Sequence, residues 1–154
     1  MPQVALETVT PQLLAAVTDR VQIKDIPGAW EPALYQVKAF LAERPDLGGA
    51  GRQVFLYHHP TQRDQPMEID FGIEVPKPFD DAGAVKCVAT PEGRVAFATH
   101  LGSLRTLSQT HMAIHQWCAA NRHGIGGFSW ETYEWGNEPE PVKTEVRYLL
   151  AEAR

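Results

Sequence analysis

The sequence predicts an α+β fold of duplicated strand-helix-strand-strand modules, with one antiparallel sheet, two main helices and a cleft at a pseudo-twofold. Three observations carry this reading. Segments of period-two apolar alternation bracket segments of helical spacing, and the order occurs twice. Thr10-Pro11-Gln12 is matched by Thr90-Pro91-Glu92, and "LAAVT" (Leu14 to Thr18) resembles "VAFAT" (Val95 to Thr99). Tyr57 and Tyr133 fall at the same place in the closing hairpin of each half. At 154 residues a single domain is expected, with halves of approximately 1–79 and 80–154 joined by the proline-rich "PKPFDDAGA".

The elements follow in order. "VALETVTPQLLAAVTDRV" reads as two extended pieces, or one bent strand, interrupted at Pro11, which has no backbone donor. "AWEPALYQVKAFLAER" carries Trp30, Ala33, Leu34, Val37, Phe40 and Leu41 at helical spacing. Pro32 suits only a first turn, so this helix should begin near Ala29 or Trp30 and stop before Pro45. "RQVFLYHH" and "MEIDFGIEV" form a hairpin, with Met67, Ile69, Phe71, Ile73 and Val75 on one face and Glu68, Asp70 and Glu74 on the other. "AVKCVATPEGRVAFATHLG" is again two extended pieces, split at Pro91. "RTLSQTHMAIHQWCAANR" is a helix with Leu104, Leu107, His111, Ile114 and Cys118 on one stripe. Thr106 and Gln109 have capping-box spacing, and Gly124 suits the helix end. "FSWETYEW" and "KTEVRYLL" close the chain as a second hairpin.

Composition excludes several functions. A formal net charge of -5 with no clustered Lys and Arg argues against direct nucleic-acid binding. Two cysteines, Cys87 and Cys118, make no disulfide framework and have no metal-like spacing. No apolar run spans a membrane and no secretory leader is visible, so the expected location is the cytoplasm. His111 and His115 are four apart on a helix, but Met112 stands where a zinc protease motif has its Glu, and no third ligand is marked; no metal and no cofactor are expected. Nucleophile elbows and phosphate loops are absent, and the glycine cluster Gly48–Gly51 lacks the strand-then-helix context of the latter.

The most informative stretch is "GFSWETYEWG". Alternation places Ser129, Glu131, Tyr133 and Trp135 on one strand face and Phe128, Trp130, Thr132 and Glu134 on the other. Both faces carry aromatics, so both need cover. Glu131 is then either a strand glutamate reaching solvent at an edge or a buried carboxylate, whose charged form needs a compensating donor or cation.

In its order of motifs the chain resembles the GyrI-like small-molecule-binding domain. That domain is the effector-binding module attached to many AraC-type and MerR-type multidrug-sensing regulators, and it also occurs alone. The resemblance covers nearly the whole chain. It rests on "ATHLG" with His100 and Gly102, on "HQWCAANRHG", on "WETY" with Glu131 and Tyr133, and on "KTEVRYLL". Family members often carry a Tyr soon after the His-x-Gly; Ser103 and Leu104 stand here. The resemblance implies an aromatic cleft with a buried glutamate from the E-x-Y strand, the position of Glu131. The ligand-binding candidates are Glu131, Tyr133, Tyr57, Trp135, Phe71 and His100. The implied function is capture of small, largely apolar, cationic or aromatic molecules for sensing, sequestration or regulation, with a protein partner for any transcriptional role. The main alternative is a hydrolase of strained, cyclopropane-bearing electrophiles with Glu131 as acid or base. A less favoured one is an inhibitor that binds DNA gyrase. Binding without chemistry is preferred, and enzymatic activity is left open.

Overall fold

Two Thr-Pro steps set where strands end, because proline gives no N–H to a ladder. β1 (Ala5–Val9) stops before Thr10-Pro11, and β5 (Val85–Ala89) stops before Thr90-Pro91. The computed structural model describes residues 2–48, 51–62, 64–137 and 139–151. Gly49 and Ala50 of the glycine cluster, Arg63 of the first hairpin turn and Glu138 of the second hairpin loop lie outside the described residues. Contacts divide the chain into an N-terminal unit, Pro11–Thr90, and a C-terminal unit, Met1–Thr10 with Pro91–Arg154. The expected division near residue 79 is therefore not where the contacts divide. Strand pairing explains the difference: β5 pairs with β2 (Leu13–Val21), while β1 pairs with β6 (Gly93–Leu101). The first strand of each sequence half thus completes the sheet of the other half, and the pieces flanking each Thr-Pro are separate strands, not one bent strand.

In the N-terminal unit, β3 (Gln53–His58), β4 (Met67–Glu74), β2 and β5 lie side by side, all antiparallel. The β2–β5 end is pinned by Thr90, whose N–H donates to Gln12 O at 3.0 Å and whose Oγ1 accepts from Gln12 N–H at 2.8 Å. Helix α1 (Ile26–Ala42) packs Ala33, Leu34, Val37 and Leu41 against this sheet. It begins earlier than Ala29, because Pro27 sits in the first turn, where an N–H has no helical partner anyway. Pro32 lies inside the helix on its exposed face, at the loss of one backbone bond. Ile69, Phe71 and Ile73 are buried as the alternation predicts. Gly72 of β4 has little room for a side chain beside β2: a Cβ there would meet Ala15 O and Ala16 Cβ, each at 3.1 Å.

In the C-terminal unit the order is β1, β6, β8 (Pro141–Leu150), β7 (Ile125–Trp135), again antiparallel. Antiparallel strands with one helix in each unit are the α+β class expected. Helix α2 (Leu107–Ala120) covers a core of Ala96, Ala98, Ile114, Cys118, Val146, Tyr148 and Leu150. The capping box does not form: a 3-10 turn, Leu104–Thr106, precedes the helix, and Thr106 Oγ1 donates to Ser103 O at 3.1 Å instead. Nor does Gly124 supply the left-handed cap. Arg122 does, with φ 60°, while His123 N–H reaches back to Cys118 O at 2.9 Å. Small residues on β6, Ala96 and Ala98, lie fully buried under α2 and let its polar side chains reach β7.

Candidate functional site

The site is built by strand alternation on β7 and helical spacing on α2. Register places Glu131 opposite Val146, Tyr133 opposite Thr144 and Ser129 opposite Tyr148. Val146 and Tyr148 belong to the core under α2, so the Ser129-Glu131-Tyr133 face looks toward that helix. Glu131 is 5% exposed, which excludes the solvent-edge reading. Two donors help to offset its burial. The Tyr133 hydroxyl donates to Oε1. His111, from α2, meets Oε2 through Nε2 at 2.6 Å. The other nitrogen of His111, Nδ1, lies 2.6 Å from the Tyr148 hydroxyl. A carboxylate, an imidazole and a phenol thus form one chain, with Tyr133 closing the carboxylate end. Charged hydrogen bonds of this kind are about twice as strong as neutral ones.

Burial pushes the Tyr148 phenol well above its ordinary range, the Glu131 charge adds to this, and a bond with Ser129 opposes it. Tyr148 therefore keeps its proton and serves as a donor or a lone-pair acceptor. His115, edge-on to Tyr148 at 4.8 Å, is pushed down by burial and then by the charge of His111. The Cys118 thiol is pushed up by burial, so it is an inert core residue rather than a nucleophile.

The remaining sequence candidates have surroundings of their own. Trp135 ends β7 beyond a register shift in its pairing with β8 and is 44% exposed. His100 is buried at the strand-to-helix turn, with Nδ1 2.8 Å from Thr110 Oγ1 and Nε2 2.8 Å from Ser103 O. Both of its nitrogens are used in holding that turn. Phe71 is fully buried in the N-terminal unit, edge-on to Phe55 at 4.9 Å, and is a core residue there. Tyr57 is half-buried on β3 of the same unit. Glu134 is exposed and pairs with Lys143 at 3.3 Å. His58, unassigned from sequence, meets the buried Asp70 at 2.7 Å, and the Thr18 hydroxyl donates to the other Asp70 oxygen. Among the described residues no group of three or more His, Cys, Asp or Glu is placed to hold a metal ion.

His111 is the residue that sequence reasoning missed. Its signal was present: a histidine on an otherwise apolar helix stripe needs a buried partner.

The family model of the GyrI-like small molecule binding domain matches residues 2–150. The chain belongs to this family. The GyrI-like domain is also similar to solved structures. The crystal structure of the EcmrR C-terminal domain is 17% identical, with 99% of each chain covered and a TM-score of 0.78. SAV2435 bound to tetraphenylphosphonium is 13% identical over 97% of this chain and 94% of that one, with a TM-score of 0.70. A hydrolase from Listeria innocua is 14% identical over 97% and 92%, with a TM-score of 0.66. At such identities the likeness shows the fold. No curated protein matches the sequence.

Proposed function

We propose that this GyrI-like domain captures small, largely apolar cations, with Glu131 as the charge-selecting group. The observation that supports this most is a carboxylate 5% exposed and held in place by Tyr133 and His111. A buried carboxylate set among aromatic rings suits a flat or bulky cation, whose charge meets Glu131 while its apolar parts lie on Tyr133 and Tyr148. The buried Thr144 hydroxyl, next to Tyr133 across the ladder, has no hydrogen-bond partner among the described residues and offers a further polar contact. SAV2435 carrying tetraphenylphosphonium, a lipophilic cation, adds support from a relative of the same fold. The role served is sensing, sequestration or regulation through a partner polypeptide, with Trp135 as a further ring at the exposed end of β7.

A second reading draws on the same chain of groups. Glu131 can accept a proton from water as the water oxygen bonds a cyclopropane carbon, while the Tyr148 hydroxyl, kept protonated, hydrogen-bonds the conjugated ligand oxygen that takes up the electrons of the broken C–C bond and then the proton from Glu131. That is the minimum for hydrolysis of a strained electrophile, and one structural relative is described as a hydrolase.

One experiment separates the two. Tetraphenylphosphonium binding is measured by calorimetry in the wild type and in Glu131→Gln. A loss of about 2–5 kcal/mol in the variant is expected, as when one member of a buried charge pair is removed. Equal affinity would overturn the charge-selecting role. Turnover of a cyclopropane-bearing electrophile, followed by mass spectrometry and abolished in the same variant, would favour the hydrolase.

A further inference from the structure

Glu131 is not an empty anion awaiting a cation; a titratable group already faces it. His111 Nε2 lies 2.6 Å from Glu131 Oε2, and His111 Nδ1 lies 2.6 Å from Tyr148 Oη. The two bonds differ in what they permit. The Glu131 carboxylate only accepts, so Nε2 carries a hydrogen in either protonation state of the ring. The Tyr148 hydroxyl both donates and accepts. It donates to Nδ1 when the imidazole is neutral and accepts from Nδ1–H when it is an imidazolium. The ring therefore gains or loses one proton at Nδ1 by rotation of the Tyr148 hydroxyl, and of the Ser129 hydroxyl bonded to it, with neither bond of His111 lost.

We infer that His111 is the resident counter-charge of Glu131, and that a cationic ligand enters this site in exchange for a proton. The inference rests on the cation-binding reading. Before binding, imidazolium and carboxylate form a neutral pair. A cation set against Glu131 repels the imidazolium, the Nδ1 proton leaves to solvent, and the neutral imidazole keeps its Nε2–H bond to the carboxylate. One positive charge enters and one leaves, so the buried charge is unchanged. A neutral ligand of the same shape releases no proton. His111 thus sets specificity: the site rewards a cation only as far as that cation outcompetes a proton.

The titratable groups facing His111 are consistent with this exchange. β7 presents Glu131 and Tyr133, and β8 presents Tyr148. β6 presents Ala96, Ala98 and His100, the last tied to Thr110 and Ser103. On α2 itself His115 lies beside Tyr148, and the His111 charge pushes its protonation down. The side chain of His111 is 23% exposed, which leaves the proton a route to water.

The test is calorimetric binding of tetraphenylphosphonium to the full chain in two buffers of unlike ionisation enthalpy. It is run at a pH where free imidazole is half protonated, and then across pH. The expected result is a heat that differs between buffers by the release of up to one proton per cation, and a Kd that falls by up to about tenfold for each unit rise in pH, as mass action requires of binding that releases a proton. Imidazole NMR of the wild type should show His111 losing its proton as the cation is added, a readout that needs no variant. His111→Gln should bind the cation with buffer-independent heat and a flat pH profile, while His115→Gln should still release the proton. Cation binding with buffer-independent heat in the wild type would overturn the exchange and leave the cation site standing. No cation binding at any pH would overturn both.

Discussion

The same place in the two units holds opposite chemistry. Trp30 and His111 each occupy the fifth position of their helices, α1 and α2. Trp30 lies against Phe55 of β3 with ring centroids 6.4 Å apart, whereas His111 bonds Glu131 of β7 at 2.6 Å. The register continues the contrast. Ile73 lies opposite Ala15 on β2 in one unit, and Tyr148 lies opposite Ala96 on β6 in the other. The N-terminal unit fills its helix–sheet seam with hydrocarbon and gains stability by packing. The C-terminal unit places a carboxylate, an imidazole and a phenol in the matching seam. Burying such groups costs more than it returns in stability unless every partner is in place. A seam built in this way is the place to look for function, and a seam of the first kind holds the fold.

Substitutions can break this contrast from either side. The largest effect belongs to the packed seam: Phe55→Ala should cost about 3–5 kcal/mol in urea unfolding, as cavities at buried aromatics do. A change in midpoint below a third of that would mean the seam is not close-packed. In the polar seam, His111→Leu should cost about as much as breaking a buried ion pair, about 3–5 kcal/mol, because Glu131 loses a donor. The double variant His111→Leu with Glu131→Leu should recover most of that loss, with a coupling of about 0.5–3 kcal/mol. Additive losses would mean that the two groups are not a stabilising pair.

The smallest effect is on alkaline stability. Tyr148 holds its proton in the folded state above its ordinary range, so the unfolded chain gives up that proton first. Its contribution is intact below about pH 10 and is lost as the pH rises beyond it. Melting temperature against pH should therefore fall less steeply in Tyr148→Phe than in the wild type. His115 works at the other end. Its folded value lies below its ordinary one, so its contribution is complete above the usual histidine range and fades as the pH falls through that range.

Much of this was legible in the residues. Two-residue alternation put Glu131 and Tyr133 on one face of β7, and they share a hydrogen bond there. Helical spacing put Ile114 and Cys118 in the core, where they lie. Where local pattern failed, a distant partner or a local break was responsible. Trp135 is exposed because it ends β7 beyond a shift in the pairing with β8. Phe71 became core because Phe55 stacks on it edge-on. The capping box gave way to a 3-10 turn that already satisfies the start of α2. The division of the chain moved to its prolines because β1 and β5 choose partners far away in sequence.

The sequence by itself determined the elements and their faces, since periodicity and proline act over a few residues. Family membership, too, is carried by motifs that the sequence shows. Tertiary structure decided what Glu131 is. Whether a strand carboxylate is a solvated edge charge or a buried, hydrogen-bonded group depends on what covers its strand, and that cover comes from α2. His111, twenty residues earlier in the chain, turns the glutamate from a desolvation cost into one end of a proton-bearing chain.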